Sequence, residues 1–169
     1  TVVWDSLAIV EYLAERHPGV WPADATMRAW ARSAASEMHS GFQELRNRCS
    51  MSCGIRVKLN DIGAPLRADM ARIDEIWAQG LARFGGPYLV GGRFCAADAF
   101  FAPVVFRVQT YGLPLGAAAR SYADRLLAEP AMREWYGAAL AEPWREPGHE
   151  AEIAESGTVQ ADLRAKPVT

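Results

Sequence analysis

WDSLAIVEYLAERHPGVWPAD, residues Trp4 to Asp24, is the stretch on which the reading of the chain turns. Ahead of it, Thr1-Val2-Val3-Trp4 is a short β-branched run that stops at an acid and a serine, and an amphipathic helix follows at once. Leu7, Ile9, Val10, Leu13 and Ala14 build its apolar stripe, with Asp5 or Ser6 as its N-cap. His17-Pro18-Gly19 ends it. The opening run reads as a strand, and since four residues cannot hold a sheet by themselves, the reading asks for partner strands from outside the chain. Residues 18–25, rich in proline and glycine, read as a linker.

Beyond the linker every strong period is helical. Met27, Trp30, Ala31, Ala34, Ala35, Met38, Phe42 and Leu45 mark one face of a long helix that ends near Cys49 to Gly54. Cys53 to Ala64 shows no clear period and reads as a loop. A second long helix starts at Pro65, a favourable first helical position, and carries Leu66, Met70, Ile73, Trp77, Leu81 and Phe84. The two are expected to pack antiparallel. Phe84 to Gly92 is glycine-rich but lacks the Lys-Ser/Thr of a phosphate loop, so it reads as a tight turn. Phe94 to Tyr111 is apolar nearly all round and should be central and buried, with Pro103 interrupting it. Shorter helices follow over Ser121 to Ala128 and Pro130 to about Leu140. Residues 143–169 are polar and without period, and are expected to be loosely ordered or laid across the surface.

Half of the 169 residues are apolar, enough for a substantial core without disulfide or metal. The net charge of -2 is spread along the helices and offers no footprint for nucleic acid or an anionic bilayer. No apolar run is long enough to span a membrane. Cys49, Cys53 and Cys95 form an odd set without scaffold spacing, which fits a reducing, cytoplasmic setting. Cys49 and Cys53 lie four apart, yet no second pair or nearby histidine completes a tetrahedral site, so no metal is expected.

A strand ending in Asp-Ser, a helix SLAIVEYLAE, a proline-containing linker and a helical region whose buried helix begins FCAADAFFAPV together resemble the glutathione S-transferase family, bacterial and beta- or zeta-like. The resemblance runs from about Val2 to Leu140. It implies a mainly α fold: residues 1–17 as the end of an α/β thioredoxin-like domain, 18–25 as linker, 26–142 as the all-helical C-terminal domain, and 143–169 as a polar extension. Most of the glutathione-binding domain would then lie outside the chain, and with it the Ser, Tyr or Cys that activates the thiol. The resemblance also implies glutathione as co-substrate, a hydrophobic electrophile, a cytoplasmic homodimer and a role in detoxification. The same fold serves elsewhere as a non-catalytic assembly module or as a glutathione-dependent isomerase of the maleylacetoacetate type.

Asp5 and Ser6 match in both residues the acid and serine with which the family binds the γ-glutamyl end of glutathione. A helix start supplies unpaired N–H groups and a positive dipole end for a carboxylate, while the acid suits an ammonium group. The alternative is simple capping. Glu37-Met38-His39-Ser40-Gly41-Phe42 is similar to the Glu-Leu-His-Lys-Gly-Phe segment of beta-class enzymes, which makes His39 a candidate at the cleft, whereas Ser40 supplies no cation. Helix packing is the other reading of His39. Arg32 occupies a position from which the family sometimes reaches glutathione, although a solvated arginine is the ordinary case. Met38, Phe42, Arg107 and Tyr111 are in helical phase to line an electrophile pocket, or equally to fill core or surface. Asp98 reads as structural, the third helical residue of a capping box opened by Cys95, with Phe94 as staple.

Overall fold

The computed structural model describes residues 1–166, and these are mostly helical. In chain order the elements are α1 (Ser6–Ala14), α2 (Ala25–Ser40), α3 (Gln43–Arg48), β1 (Ile55–Leu59), α4 (Ala64–Phe84), α5 (Ala96–Tyr111), α6 (Ala117–Ala128), α7 (Pro130–Ala141), α8 (Pro147–Ser156) and β2 (Gly157–Asp162). No helix among the described residues is long and apolar enough to cross a membrane.

α5 is the axis of the molecule. Twelve of its sixteen residues are buried, as its all-round apolar sequence demands, and α2, α6 and β1 pack on it. It continues through Pro103 without a break. Its first turn carries a capping box between Cys95 and Asp98. The Asp98 carboxylate has no exposed surface and accepts from the Cys95 N–H (2.9 Å), the Leu89 N–H (3.1 Å) and the Tyr122 hydroxyl (2.9 Å). That one side chain joins α5 to the glycine-rich turn and to α6. Phe94 is partly exposed and sets its ring edge-on to Tyr88. Trp77 of α4 closes the other side, edge-on to Phe101 (5.6 Å) and Tyr122 (4.9 Å).

Four sequence readings need correction. Thr1 to Trp4, read as a strand with partners outside the chain, forms no strand here: among the described residues nothing pairs with it, and Val2 and Trp4 stand 85% and 79% exposed. The long helix read from Met27 to Cys49 is two helices, because Gly41 and Phe42 interrupt it, Phe42 at φ 59° in the left-handed region. A side chain at Gly41 would put its Cβ 2.7 Å from the Glu37 carbonyl oxygen, and the freed carbonyls of Met38 and Gly41 take hydrogen bonds from Arg46 (2.5 and 3.0 Å). The loop read over Cys53 to Ala64 contains β1, whose Ile55-Arg56-Val57-Lys58-Leu59 alternates apolar and polar. The tail, read as loosely ordered or laid across the surface, is ordered and forms α8 and β2, residues 167–169 of it lying outside the described residues.

β1 and β2 pair antiparallel, Ile55 opposite Asp162 and Leu59 opposite Gly157, with a bulge at Arg56/Val57. A two-stranded sheet gains little by itself. This one is held by burial of Ile55, Val57 and Ile153 against the core. Among the described residues, large exposed apolar side chains occur at Val2, Trp4, Ile9 and Leu13, at Phe94, and at Trp135, Trp144, Val159 and Leu163. α2 and α4 are joined on their outer faces by ion pairing of Arg72 with Glu37 (2.6 Å).

Replacing Asp98 by alanine orphans three buried donors at about 1–3 kcal/mol each, so Asp98→Ala is expected to lose at least about 3 kcal/mol in urea unfolding; an unchanged midpoint would refute this account of α5. The tail is tied by Arg164, which donates to Glu150 (2.5 and 2.9 Å) and Asp162 (2.9 and 2.8 Å). Those hydrogen bonds hold both carboxyls below their ordinary values of 4.5 and 3.8. A lowered folded value means stability present above the ordinary value and lost as pH falls through the folded one. Both acids are more than a third exposed, so Arg164→Met should lower stability at neutral pH by only about 1 kcal/mol, and its urea midpoint should converge on that of the native protein toward about pH 3.

Candidate functional site

Asp5 is the N-cap of α1, its Oδ1 accepting from the Leu7 N–H at 2.9 Å. It does so with φ 72° and ψ 131°, a conformation that costs a residue with a Cβ about 1–3 kcal/mol. The strain turns its other oxygen toward α2, where Oδ2 lies 3.2 Å from His39 Nε2. Ser6 Oγ lies 3.1 Å from Nδ1 of the same ring. One imidazole thus bridges two successive residues at the mouth of α1, an arrangement satisfied by a proton on Nε2 donated to Asp5 while Nδ1 accepts from the Ser6 hydroxyl. Of the first-turn N–H groups of α1, Asp5 caps that of Leu7 and leaves those of Ser6 and Ala8 without an intrahelical partner at the same mouth. Together they offer hydrogen-bond donors and a positive dipole end for a carboxylate, and one anion for a cation.

Beside this pair opens a cavity of about 460 Å³. α1 lines it with Ser6 and Val10, α2 with Met38 and His39, and α3 with Arg46. α5 presents Ala99, Phe100, Pro103 and Arg107, which share one face at helical spacing. The Phe100 ring meets the His39 ring edge-on at 6.5 Å. The wall is apolar apart from Ser6, His39 and the two guanidinium groups. Arg107 is 9% exposed and donates from Nε to the Cys49 carbonyl at 2.7 Å. Burial lowers its pKa from the usual arginine range, and the nearby charge of Arg46 lowers it further.

The sequence-derived candidates therefore separate. Asp5, Ser6, His39, Met38 and Arg107 come together at the mouth of α1 and its cavity. Arg32 does not join them: it forms a two-pronged pair with Glu11 (2.8 and 2.6 Å), which holds the Glu11 carboxyl below its usual range. Phe42 does not line the cavity, because the break after α2 swings it into the core. Nor does Tyr111, which is buried with its hydroxyl donating to the Ser50 carbonyl at 2.8 Å. Ser40 turns back on its own helix, donating to the Ser36 carbonyl at 3.0 Å. Arg46, Val10, Phe100 and Pro103 were not singled out from sequence. Phe100 and Pro103 lie seven and four residues before Arg107, so the helical phase of α5 was signal enough for those two. Among the described residues no cluster of His, Cys, Asp or Glu could hold a metal ion.

Helices packed around a buried central one, with a cleft of small-molecule size among α1, α2, α3 and α5, make a helical domain with one open wall. A family model described as glutathione S-transferase, C-terminal domain, matches residues 28–138. The chain belongs to the glutathione S-transferase family. It is 31% identical to a probable maleylacetoacetate isomerase of Caenorhabditis elegans, over 68% of the chain and 54% of that relative, so it spans about half the relative's length. The fold is similar to that of a theta class glutathione S-transferase from the citrus canker pathogen Xanthomonas axonopodis pv. citri in its apo form, with 25% identity, a TM-score of 0.58 and coverage of 83% of this chain and 78% of that one. It is also similar in fold to a Burkholderia glutathione transferase homologue with bound glutathione, at 24% identity and a TM-score of 0.57, covering 81% of this chain and 66% of that one.

None of the three thiols is poised for chemistry. Burial pushes Cys49 up to about 12, Cys53 to about 11 and Cys95 to about 12. A thiol is nucleophilic only as its thiolate. In the folded protein all three should resist a disulfide reagent at mildly alkaline pH and react together in denaturant; fast native labelling of any one would contradict the packing.

Proposed function

We propose that the protein binds glutathione by its γ-glutamyl end at the start of α1 and takes an electrophilic small molecule in the adjoining cavity, the two reacting as thiolate and electrophilic carbon. The observation that carries this reading is the meeting of Asp5, Ser6 and His39 at one helix mouth beside an apolar cavity. The γ-glutamyl carboxylate would take the first-turn N–H groups and the Ser6 hydroxyl, which becomes a donor once it rotates away from His39. The ammonium group would take the Asp5 carboxylate, whose second oxygen now faces only His39.

On this reading residues 1–17 are the end of a thioredoxin-like glutathione-binding domain, 18–25 the linker and 26–142 the helical domain. The exposed apolar side chains of Val2, Trp4, Ile9 and Leu13 fit a surface that further chain covers. The thiol would be activated by a Ser, Tyr or Cys outside these residues, which lowers its pKa and supplies the nucleophile. His39 would position Asp5 and Ser6 and border the reacting sulfur. The protein is inferred to act in the cytoplasm as a homodimer, clearing electrophiles by conjugation. A second reaction is favoured by one observation, the likeness to a probable maleylacetoacetate isomerase: glutathione adds to an unsaturated substrate, rotation follows in the adduct, and the thiolate leaves unchanged.

Retention on immobilised glutathione and conjugation of chlorodinitrobenzene by the whole protein test the reading. Ser6→Ala should weaken glutathione binding by about 1.5–3 kcal/mol, the range for a hydrogen bond to a charged group, with little change in unfolding midpoint. Failure of the native protein to bind glutathione, or equal affinity in the variant, would remove the assignment. A non-catalytic assembly role would leave retention intact and conjugation absent.

A further inference from the structure

The cavity contains more positive charge than its architecture consumes. Arg46, in the last turn of α3, reaches back to the end of α2 and donates from Nε to the Gly41 carbonyl and from Nη2 to the Met38 and His39 carbonyls. Those bonds cap the last turn of α2 and leave Nη1 without a partner among the described residues. Arg107 reaches across from α5. Its Nε is spent on Cys49, its Nη1 on the Pro103 carbonyl (3.5 Å) and the Met51 sulfur (3.8 Å), and Nη2 has no partner among the described residues. Among the described residues neither arginine forms an ion pair, unlike Arg16, Arg32, Arg72 and Arg164. Neither free nitrogen is sealed from solvent, and both residues line the cavity.

Two guanidinium groups facing one apolar space without an acid between them repel each other and remain incompletely hydrogen-bonded, a state that an entering anion relieves. Met38, Phe100 and Pro103 supply the apolar wall for the rest of such a molecule. We propose that the electrophile this cavity selects carries a carboxylate, bound between Arg46 and Arg107, with its carbon skeleton against Met38, Phe100 and Pro103. The proposal rests on the reading of the site given above and narrows it from electrophiles in general to acidic ones. Burial, and after it the nearby charge of Arg46, lowers the Arg107 pKa, which agrees with a site completed by an anion.

Two molecules could supply the carboxylate, the electrophile or glutathione itself, and calorimetry with a matched pair of probes separates them. Para-nitrobenzoate and para-nitrobenzamide share shape and differ in charge. The whole protein should bind the carboxylate at least about tenfold more tightly than the amide, the lower end for hydrogen bonds to a charged group, and should do so equally well when saturated with glutathione. Arg107→Gln and Arg46→Gln, which keep an N–H for the carbonyls, should each abolish most of that preference while leaving amide affinity and retention on immobilised glutathione unchanged. Equal affinity for the two probes in the native protein overturns the proposal without need of any variant. Displacement of the carboxylate probe by glutathione overturns it too, by giving the arginines to the tripeptide. Loss of glutathione retention with the probe preference intact would instead strike the reading of Asp5 and Ser6 and leave the anion site standing.

Discussion

The structure depends on a carboxylate that water cannot reach. Asp98 sits at the start of α5 with three donors converging on it, from the helix's own first turn, from the turn that ends at Gly91, and from Tyr122 of α6. Burial alone drives a carboxyl toward its neutral form, and burial is the largest influence here, raising Asp98 above the ordinary carboxylate range against the pull of its donors. The opposing influences fix α5 in one place, since any shift that lengthens the hydrogen bonds leaves the desolvation uncompensated. The cavity is built on that fixed axis. Ala99, Phe100, Pro103 and Arg107 hold their positions because the residues on the other sides of α5 are locked in the core.

Against this rigid wall the mouth of α1 is a strained and lightly held element. α1 has no fully buried residue, and Asp5 pays for its cap with a left-handed backbone. His39 steadies the pair from α2, whose Ala31, Ala34, Ala35 and Met38 are anchored in the core. The helix that bears Asp5 and Ser6 thus borrows its position from a neighbour, and the imidazole between them is the physical link. A ligand that offers Asp5 an ammonium group and Ser6 a carboxylate competes with that imidazole for the same two side chains.

The legible parts of the sequence were those in which period and burial agree. α5 could be read because almost no polar face remained, and α4 because Leu66, Met70, Ile73, Trp77, Leu81 and Phe84 keep step along the whole helix. The break after α2 was hidden because Met38, Phe42 and Leu45 remain in helical phase across it and all three are buried in the structure, so the apolar pattern survives an interruption of the backbone. Thr1 to Trp4 misled in the opposite direction: β-branched residues favour a strand only where another strand pairs with them. β1 and β2 escaped because each is five or six residues long and their pairing joins positions about a hundred residues apart, a contact that local period cannot reveal. At the site, the match of Asp5, Ser6 and His39 to family motifs pointed to the mouth of α1, but only coordinates bring the three side chains together.

Arg46 shows why the hidden break matters to chemistry. Had α2 run straight on, position 46 would continue the phase of a single helix, and its long side chain would have no exposed carbonyls to satisfy. Ending α2 at Ser40 frees the carbonyls of Met38, His39 and Gly41, and Arg46 turns back to them. That turn brings a guanidinium against the cavity wall, close enough to Arg107 for its charge to be felt there. A cation recruited to cap a helix is also one that a ligand can use, because capping occupies only part of the five-donor fork. The kink and the charge in the cavity are therefore one feature of the fold: Gly41, which tolerates the close approach to Glu37, permits the first and through Arg46 supplies the second.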